Sequence, residues 1–418
     1  MHQENSPKIT DYHIHKHILN KTLVVVGFGY FIDAFDLFLY NALRVPSLRE
    51  LGLEGEKLTQ VGLWILNTQV IGMLVGGLLW GMLGDKIGRK KALVGSVLVY
   101  SLGSLGCAFV QNVAFYATVR FLTGIGLAGE MGLGAILITE TLLDKKRDWG
   151  LAAYSLFAYA GIISANLLAG FLPWRACYAV GGIVGLLLLL ARMMLFESGL
   201  YEKLAATKVK RGSLILFLKN PNLLKRYLCC ILFAMPYYYT VNLLMTLAPE
   251  FGMAVGAAQP IRANIALMVY SITAMIGTVL AIIVGKLLRR RIFTIFLFMA
   301  TNLALAMYYL TQRNPTATEF YFLCGIMGLA NYFVLLLFAA VEQFGTNMRA
   351  TAGTSALSTG RATLVVTTTV FLAFRSAGLD IIPAAFWVAA IVFAVGFVCL
   401  AGLRETYGRS IDFIEETH

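Results

Sequence analysis

The chain has 418 residues, of which 59% are hydrophobic and only 13% are charged. A soluble domain carries about a quarter charged residues, so this composition excludes an ordinary soluble protein and indicates one that uses lipid as its solvent. The formal net charge of +12 does not indicate a nucleic-acid partner, because the Lys and Arg residues cluster in short loops between apolar segments.

Twelve apolar segments follow the polar first residues of the chain. Each is about 19–25 residues long, which is enough to cross a hydrocarbon layer of about 30 Å as a helix. We expect no cleavable signal peptide, since the first apolar run leads into a full-length span. The predicted spans are 22–43, 60–82, 92–110, 113–138, 149–171, 176–196, 226–249, 263–285, 292–311, 319–341, 352–374 and 382–403.

The basic residues predict the orientation of these spans. One set of alternating loops and tails holds 24 of the 34 Lys and Arg residues, and the other set holds 7. The first set is cytoplasmic by the positive-inside rule, so both termini are expected on the inside. We therefore expect an integral membrane protein of the bacterial inner (cytoplasmic) membrane, working as a monomer in contact with lipid.

Charged residues at the ends of the spans indicate an internal repeat. The loop after span 2 reads Gly81-Met-Leu-Gly-Asp85-Lys86-Ile-Gly88-Arg89-Lys90-Lys91. Glu140 and Arg147 follow span 4, and Glu342 and Arg349 follow span 10 with the same spacing of seven and an offset of about 200 residues. Such repeats are typical of secondary transporters. We predict two six-helix bundles, at 1–196 and 226–418, joined by a cytoplasmic linker at 197–225.

The loop after span 2 matches G-x-x-x-D-[RK]-x-G-R-[RK]-[RK] and, together with the glycine-rich span 4, resembles the major facilitator superfamily, in particular its metabolite:proton symporters and sugar porters. The resemblance implies an all-α membrane protein of twelve helices in two pseudo-symmetric bundles that works by alternating access. It also implies a cytoplasmic gate at Gly81, Asp85, Gly88, Arg89, Glu140, Arg147, Glu342 and Arg349. The second-half loop departs from the pattern, because Arg289 stands where the acid would be.

Five charged residues lie deep within the predicted spans, where each costs about 2.5–3.5 kcal/mol on insertion scales unless it faces a cavity or a partner. Asp33 and Asp36 share one face of span 1. Counted from the outer ends of their helices, Asp36 and Arg120 lie at similar depth, so the two can pair. In the symporters that the chain resembles, an Asp at this place takes the coupling proton and the Arg tunes it. Asp36 is the favoured proton site, with Asp33 second; the alternative is that Asp36 only holds Arg120.

Two other deep charges have open roles. Glu130, farther inward on span 4, is either a second protonatable group or an acid paired across the bundle. Arg361, in span 11, invites an anionic substrate group because its planar fork matches a carboxylate in two hydrogen bonds. The alternative for Arg361 is a pair within the protein; if it has none, a carboxylate-bearing solute follows.

Polar and aromatic side chains near mid-depth predict the lining of a substrate cavity. Pro236 in span 7 predicts a bend there. These residues together favour a polar, aromatic cavity over a purely apolar one. The candidate substrate-binding residues besides Arg361 are Tyr237, Tyr238, Asn242, Asn331, Tyr332, Tyr154, Asn67 and Gln69.

The sequence thus predicts a secondary transporter that takes up a small polar organic solute together with protons. The solute is expected to carry a carboxylate, as amino acids, organic acids and carboxylate siderophores do. A sugar or polyol porter or facilitator is the first alternative, and a proton-antiporting exporter is the second. We expect no enzyme activity, cofactor, metal site or nucleic-acid partner, since no nucleophile–base pair, phosphate loop or metal-ligand spacing is present.

Overall fold

The computed structural model describes residues 9–141, 144–192, 220–408 and 413. All regular structure in this part of the chain is helical. The first half contains six long helices, each of which contains most of one predicted span. They are α1 (Ile9–Glu50), α2 (Gly55–Ile87), α3 (Arg89–Cys107), α4 (Val113–Thr141), α5 (Asp144–Phe171) and α6 (Trp174–Arg192).

The second half also has six spans, but two of them are divided into shorter elements. Span 7 comprises α7 (Pro221–Leu232), α8 (Met235–Tyr238), a π-helical turn (Tyr239–Leu244) and α9 (Ala248–Ala254), and span 10 comprises α12 (Ala317–Leu329) and α13 (Phe333–Glu342). The others are α10 (Ala263–Leu288), α11 (Arg291–Thr311), α14 (Arg349–Ser376) and α15 (Ile381–Ala401).

The predicted all-α architecture of twelve membrane-crossing helices is confirmed. Ten helical segments in the described part of the chain are long and apolar enough to cross a membrane, and Trp174–Leu190 is a shorter apolar helix. With α3, which begins with three basic residues, they make twelve. Most of the linker predicted at 197–225 lies outside the described residues, and α7 begins at Pro221, within the last residues of that predicted linker.

The two divided spans differ from the continuous helices predicted at 226–249 and 319–341. In span 7 the predicted bend is present, since α7 ends at Leu232 and α8 begins one residue before Pro236, whose ring removes one backbone donor. In span 10 the helix breaks between Leu329 and Phe333. There the side chain of Asn331 accepts a hydrogen bond from the backbone N–H of Phe333 at 3.1 Å. This bond satisfies a backbone donor to which lipid offers no acceptor.

Four spans form the centre of the molecule. In the most apolar stretch of spans 4, 7 and 10, 83% of the residues are buried, and in span 1 72% are, against 33% in α11. The two halves meet where α14 packs along α2 and α4 and where α10 packs along α5. Gly132 allows one of these contacts, because a Cβ atom added there would collide with the backbone of Thr354.

Candidate functional site

A small cavity lies between the two halves, at the middle of the central spans. Its volume is about 20 Å³, close to the space that one water molecule needs. Its walls are mostly aromatic and aliphatic, with one guanidinium group. The residues that matter below are Tyr30, Leu37, Phe38 and Tyr159 from the first half and Tyr237, Tyr238, Asn242, Phe333 and Arg361 from the second.

Tyr237 is at the centre of the aromatic wall. Its ring centroid lies 5.1 Å from that of Phe333 and 5.3 Å from that of Tyr238. Its hydroxyl lies 3.4 Å from the hydroxyl of Tyr159 on the other half. The distances fit tilted and edge-to-face aromatic contacts. The wall therefore combines aromatic ring surface with hydroxyl groups.

Arg361 supplies the positive charge of the cavity. It is 6% exposed, and its guanidinium carbon lies 5.9 Å from the centre of the Tyr238 ring. Its two terminal nitrogens contact the sulfur atoms of Met73, at 3.5 Å, and Met131, at 3.1 Å. Among the described residues, no carboxylate forms an ion pair with this arginine.

Asp36 and Arg120 form an ion pair, as their similar depth in the sequence made possible. The Arg120 Nη1 donates to Asp36 Oδ2 at 3.1 Å, and both side chains are almost fully buried. Ser104 donates to the other carboxylate oxygen at 2.5 Å. The rings of Tyr40 and Tyr178 cover the guanidinium at 5.6 and 5.2 Å. The carboxylate and the guanidinium are thus held from several sides. The role of this ion pair in proton coupling stays a prediction.

Asp33 has a different environment one turn earlier on α1. It is 0% exposed, and neither of its carboxylate oxygens has a hydrogen-bond partner. The charged groups near it are Arg361, Glu130 and Asp36. Glu130 is fully buried, and its backbone carbonyl accepts a hydrogen bond from Tyr154 at 2.7 Å. The four acidic and basic candidates of the first half therefore lie within one buried region.

Four of the nine predicted substrate-binding residues line the cavity, namely Arg361, Tyr237, Tyr238 and Asn242. The other five lie elsewhere. Asn67 accepts from Thr368 at 3.2 Å and Gln69 is buried in α2. Asn331 donates to Ala274 and Thr278 of α10, which fixes the break in span 10. Tyr332 packs behind Tyr237 with ring centroids 5.8 Å apart, and Tyr154 stacks on Tyr30 at 4.3 Å.

The predicted cytoplasmic gate includes one contact between the halves at Asp85. Its Oδ2 accepts hydrogen bonds from the backbone N–H of Thr351 at 2.7 Å and from the Thr351 hydroxyl at 2.5 Å. Thr351 lies in the first turn of α14, where a negative charge is stabilised by the helix dipole.

The predicted gate also includes two glycines. Gly88 joins α2 to α3 with a φ of 104°, which a side chain would disfavour. Gly81 lies within α2.

A second contact between the halves is built on an arginine of the second half. Arg291, at the start of α11, donates to Asp148 of α5 at 2.7 Å and to Glu342 at 3.1 Å. The sequence predicted Glu342 but missed Asp148 and Arg291. Arg147 and Arg349 are buried. Their predicted neighbours Arg89 and Glu140 lie in α3 and α4, and the side chains of both lie outside the part that the structure describes.

The opposite end of the molecule is also closed by a contact between the halves. Arg44 of α1 and Glu250 of α9 form an ion pair of 3.1 Å, with side chains 3% and 21% exposed. Sequence reasoning missed this pair, because both residues were assigned to separate loops. It also missed Tyr30, although Tyr30 lies three residues before Asp33 and so shares its helix face. The cavity is thus enclosed at both ends.

Comparisons with known proteins agree with this architecture. The sequence profile of the Major Facilitator Superfamily matches residues 26–368. In structure, the chain is similar to XylE, a proton:xylose symporter, with a TM-score of 0.72 and 15% identity over 95% of this chain and 98% of XylE. At this identity the similarity shows the fold alone.

Two curated relatives are more similar in sequence. A putative niacin/nicotinamide transporter of Bacillus subtilis is 31% identical over 45% of this chain and 47% of its own length. The 4-hydroxybenzoate transporter of Pseudomonas putida is 32% identical over 39% of this chain and 37% of its own length. The chain therefore spans about half the length of the first relative and less of the second. With a profile match over most of its residues and, in the part that the structure describes, twelve helices in the corresponding arrangement, the chain belongs to the Major Facilitator Superfamily.

Proposed function

We propose that this transporter is a proton-coupled symporter that takes up a small aromatic monocarboxylate by alternating access. The observation that carries the proposal is Arg361, a buried guanidinium at an aromatic cavity with no carboxylate partner among the described residues. A buried guanidinium without an ion pair is costly. A solute carboxylate can meet the planar fork of the arginine in two parallel hydrogen bonds.

The walls of the cavity support an aromatic solute. Tyr237 and Phe333 offer ring faces from the second half, and Tyr30 and Tyr159 do so from the first. Offset and edge-to-face contacts with a planar ring each add about 0.5–1.5 kcal/mol beyond the area they bury. The names of the two curated relatives described above, which refer to niacin/nicotinamide and to 4-hydroxybenzoate, also support a small aromatic solute.

We place the transported proton on Asp33 in preference to Asp36. Asp36 is held by Arg120 and Ser104, whereas an ionised Asp33 would be buried without a hydrogen bond, which is strongly unfavourable. Once protonated, Asp33 is neutral and no longer competes with a solute carboxylate for Arg361, the cation near it. Proton binding to Asp33 thereby leaves Arg361 available to the solute, so that uptake of the solute is coupled to uptake of the proton.

The cavity of about 20 Å³ is too small for an aromatic acid, so the solute must enter after one end has opened. Contacts at Arg44–Glu250 and at Asp85–Thr351 are the closures of the two ends. We propose that they open alternately in a monomer in the bacterial inner membrane, with both termini in the cytoplasm as the basic residues predict.

The test uses purified protein in proteoliposomes with an imposed inward proton gradient. We expect radiolabelled 4-hydroxybenzoate or nicotinate to accumulate above equilibrium and a protonophore to abolish the accumulation. Xylose uptake without acid uptake would favour the sugar-porter alternative. Acid extrusion driven by an opposed proton gradient would favour the exporter.

A further inference from the structure

Arg361 is held between two methionines from the other half of the protein. Met73 of α2 and Met131 of α4 are both fully buried, and each sulfur faces a different terminal nitrogen of the guanidinium, at 3.5 and 3.1 Å. The approach depends on close packing of α4 against α14, which Gly132 allows directly beside Met131. Two positions 58 residues apart in sequence thus converge on one cation.

The chemistry of sulfur makes this arrangement unusual for a buried cation. A thioether is only a weak hydrogen-bond acceptor, whereas hydrogen bonds from a charged donor to oxygen contribute about 1.5–3 kcal/mol. The two sulfur atoms therefore orient the guanidinium but compensate its positive charge poorly. Methionine also has three rotatable bonds and adapts to changes in its surroundings, so both side chains can withdraw when a better acceptor arrives.

We propose that Met73 and Met131 are specificity-determining residues, which orient Arg361 through acceptors weak enough for a solute carboxylate to displace. An amide or carboxylate at either position would satisfy Arg361 permanently and compete with the solute. A purely aliphatic side chain would not compete, but it would leave the guanidinium without orientation. This inference rests on the proposed function and adds the reason why the site distinguishes anions from neutral molecules.

The test compares two probes of nearly the same shape, 4-hydroxybenzoate and its neutral amide, by calorimetric binding to the purified transporter. Met131→Gln supplies a strong acceptor at the position of the sulfur. We expect it to weaken binding of the acid by about ten-fold or more, the size of one charge-assisted hydrogen bond. We expect binding of the amide to change by less than about three-fold.

Three variants serve as controls. Met131→Leu removes the acceptor without adding a stronger one, so binding of the acid should weaken by less than in Met131→Gln and the preference for the acid should persist. Met73→Gln repeats the test at the longer distance, with the same sign and a smaller effect, and decides the question if Met131→Gln does not give monodisperse protein. Met327→Gln, at an equally buried methionine of α12, should not alter the acid-to-amide ratio.

The outcomes separate the inference from the function on which it rests. If the unaltered protein binds neither probe, the proposed function fails and the role of the methionines fails with it. If it binds the acid but the Gln and Leu variants shift the acid-to-amide ratio equally, only the inference is overturned. Damage to packing alone would weaken both probes together, because it does not distinguish a charged ligand from a neutral one.

Discussion

Arg44 and Glu250, which are separated by 206 residues in sequence, form an ion pair of 3.1 Å between α1 and α9. The pair joins the two halves at the end that we propose faces away from the cytoplasm. Tyr40, one turn earlier on α1, is anchored to α2 through a hydrogen bond of 2.9 Å to the Gly62 carbonyl. The outer end of α1 is therefore fixed to its own half and linked to the other by a single ion pair among the described residues.

Arg44→Ala should shift the protein toward the outward-open state. It leaves Glu250 without its partner, which weakens the closed state by about 1–3 kcal/mol. The measurement is the rate at which an impermeant maleimide labels Leu37→Cys, a cavity position, in a cysteine-free background. We expect faster labelling from outside, and a charge-swapped Arg44→Glu/Glu250→Arg protein should restore the slow rate. An unchanged rate in Arg44→Ala would contradict a gating role for the pair.

Asp33→Asn should abolish proton-driven accumulation while solute exchange continues, because the amide cannot carry a proton and imitates the protonated acid. The matched variant is Asp36→Asn on the same helix face. It leaves Arg120 buried without its counter-charge, which typically costs about 3–5 kcal/mol. We therefore expect a lower unfolding temperature for Asp36→Asn and not for Asp33→Asn. Full accumulation by Asp33→Asn would return the proton to Asp36 or Glu130.

Arg361→Lys should weaken binding of an aromatic acid by about ten-fold or more, because lysine keeps the charge but cannot form the bidentate contact. Arg361→Ala should remove measurable binding. Arg375→Ala is the control, since Arg375 is an exposed arginine on the same helix. Binding is measured by the ligand-induced rise in unfolding temperature. An acid-dependent rise that survives in Arg361→Ala would assign the arginine a structural role.

The two ion pairs of Arg291 offer a prediction about additivity. Asp148 and Glu342 both contact the guanidinium of Arg291, so the effects of Asp148→Asn and Glu342→Gln on labelling of Leu37→Cys from the cytoplasmic side should not add. Groups that share a partner typically show interaction energies of about 0.5–3 kcal/mol. Strictly additive effects would mean that the two acids act independently of Arg291.

Part of the site followed from the sequence because depth in a membrane can be counted along a helix. Asp36 and Arg120 lie on antiparallel spans at similar distances from the outer ends, and the structure brings them to 3.1 Å. Helix direction and residue count were sufficient for this contact.

The remaining contacts depend on how distant helices are rotated and placed, which hydrophobic pattern does not specify. Asn331 is a polar residue of the kind expected to line a cavity. Only the position of α10 beside it shows that its side chain stabilises the break in span 10. Met73 and Met131 look like ordinary core residues until α14 brings Arg361 between them. The pair of Arg44 and Glu250 joins two helix ends that nothing in the sequence relates.

The acids assigned to the proton are in the first half of the chain, whereas Arg361, Tyr237 and Phe333 are in the second. Under the proposed function, the proton and most of the solute contacts are carried by different halves, while Met73 and Met131 of the first half touch Arg361 of the second. A chimera that keeps residues 1–192 and takes its remaining helices from a transporter of another compound should therefore still be powered by the proton gradient. Its cargo preference should depend on both parents, because the first half contributes the two methionines.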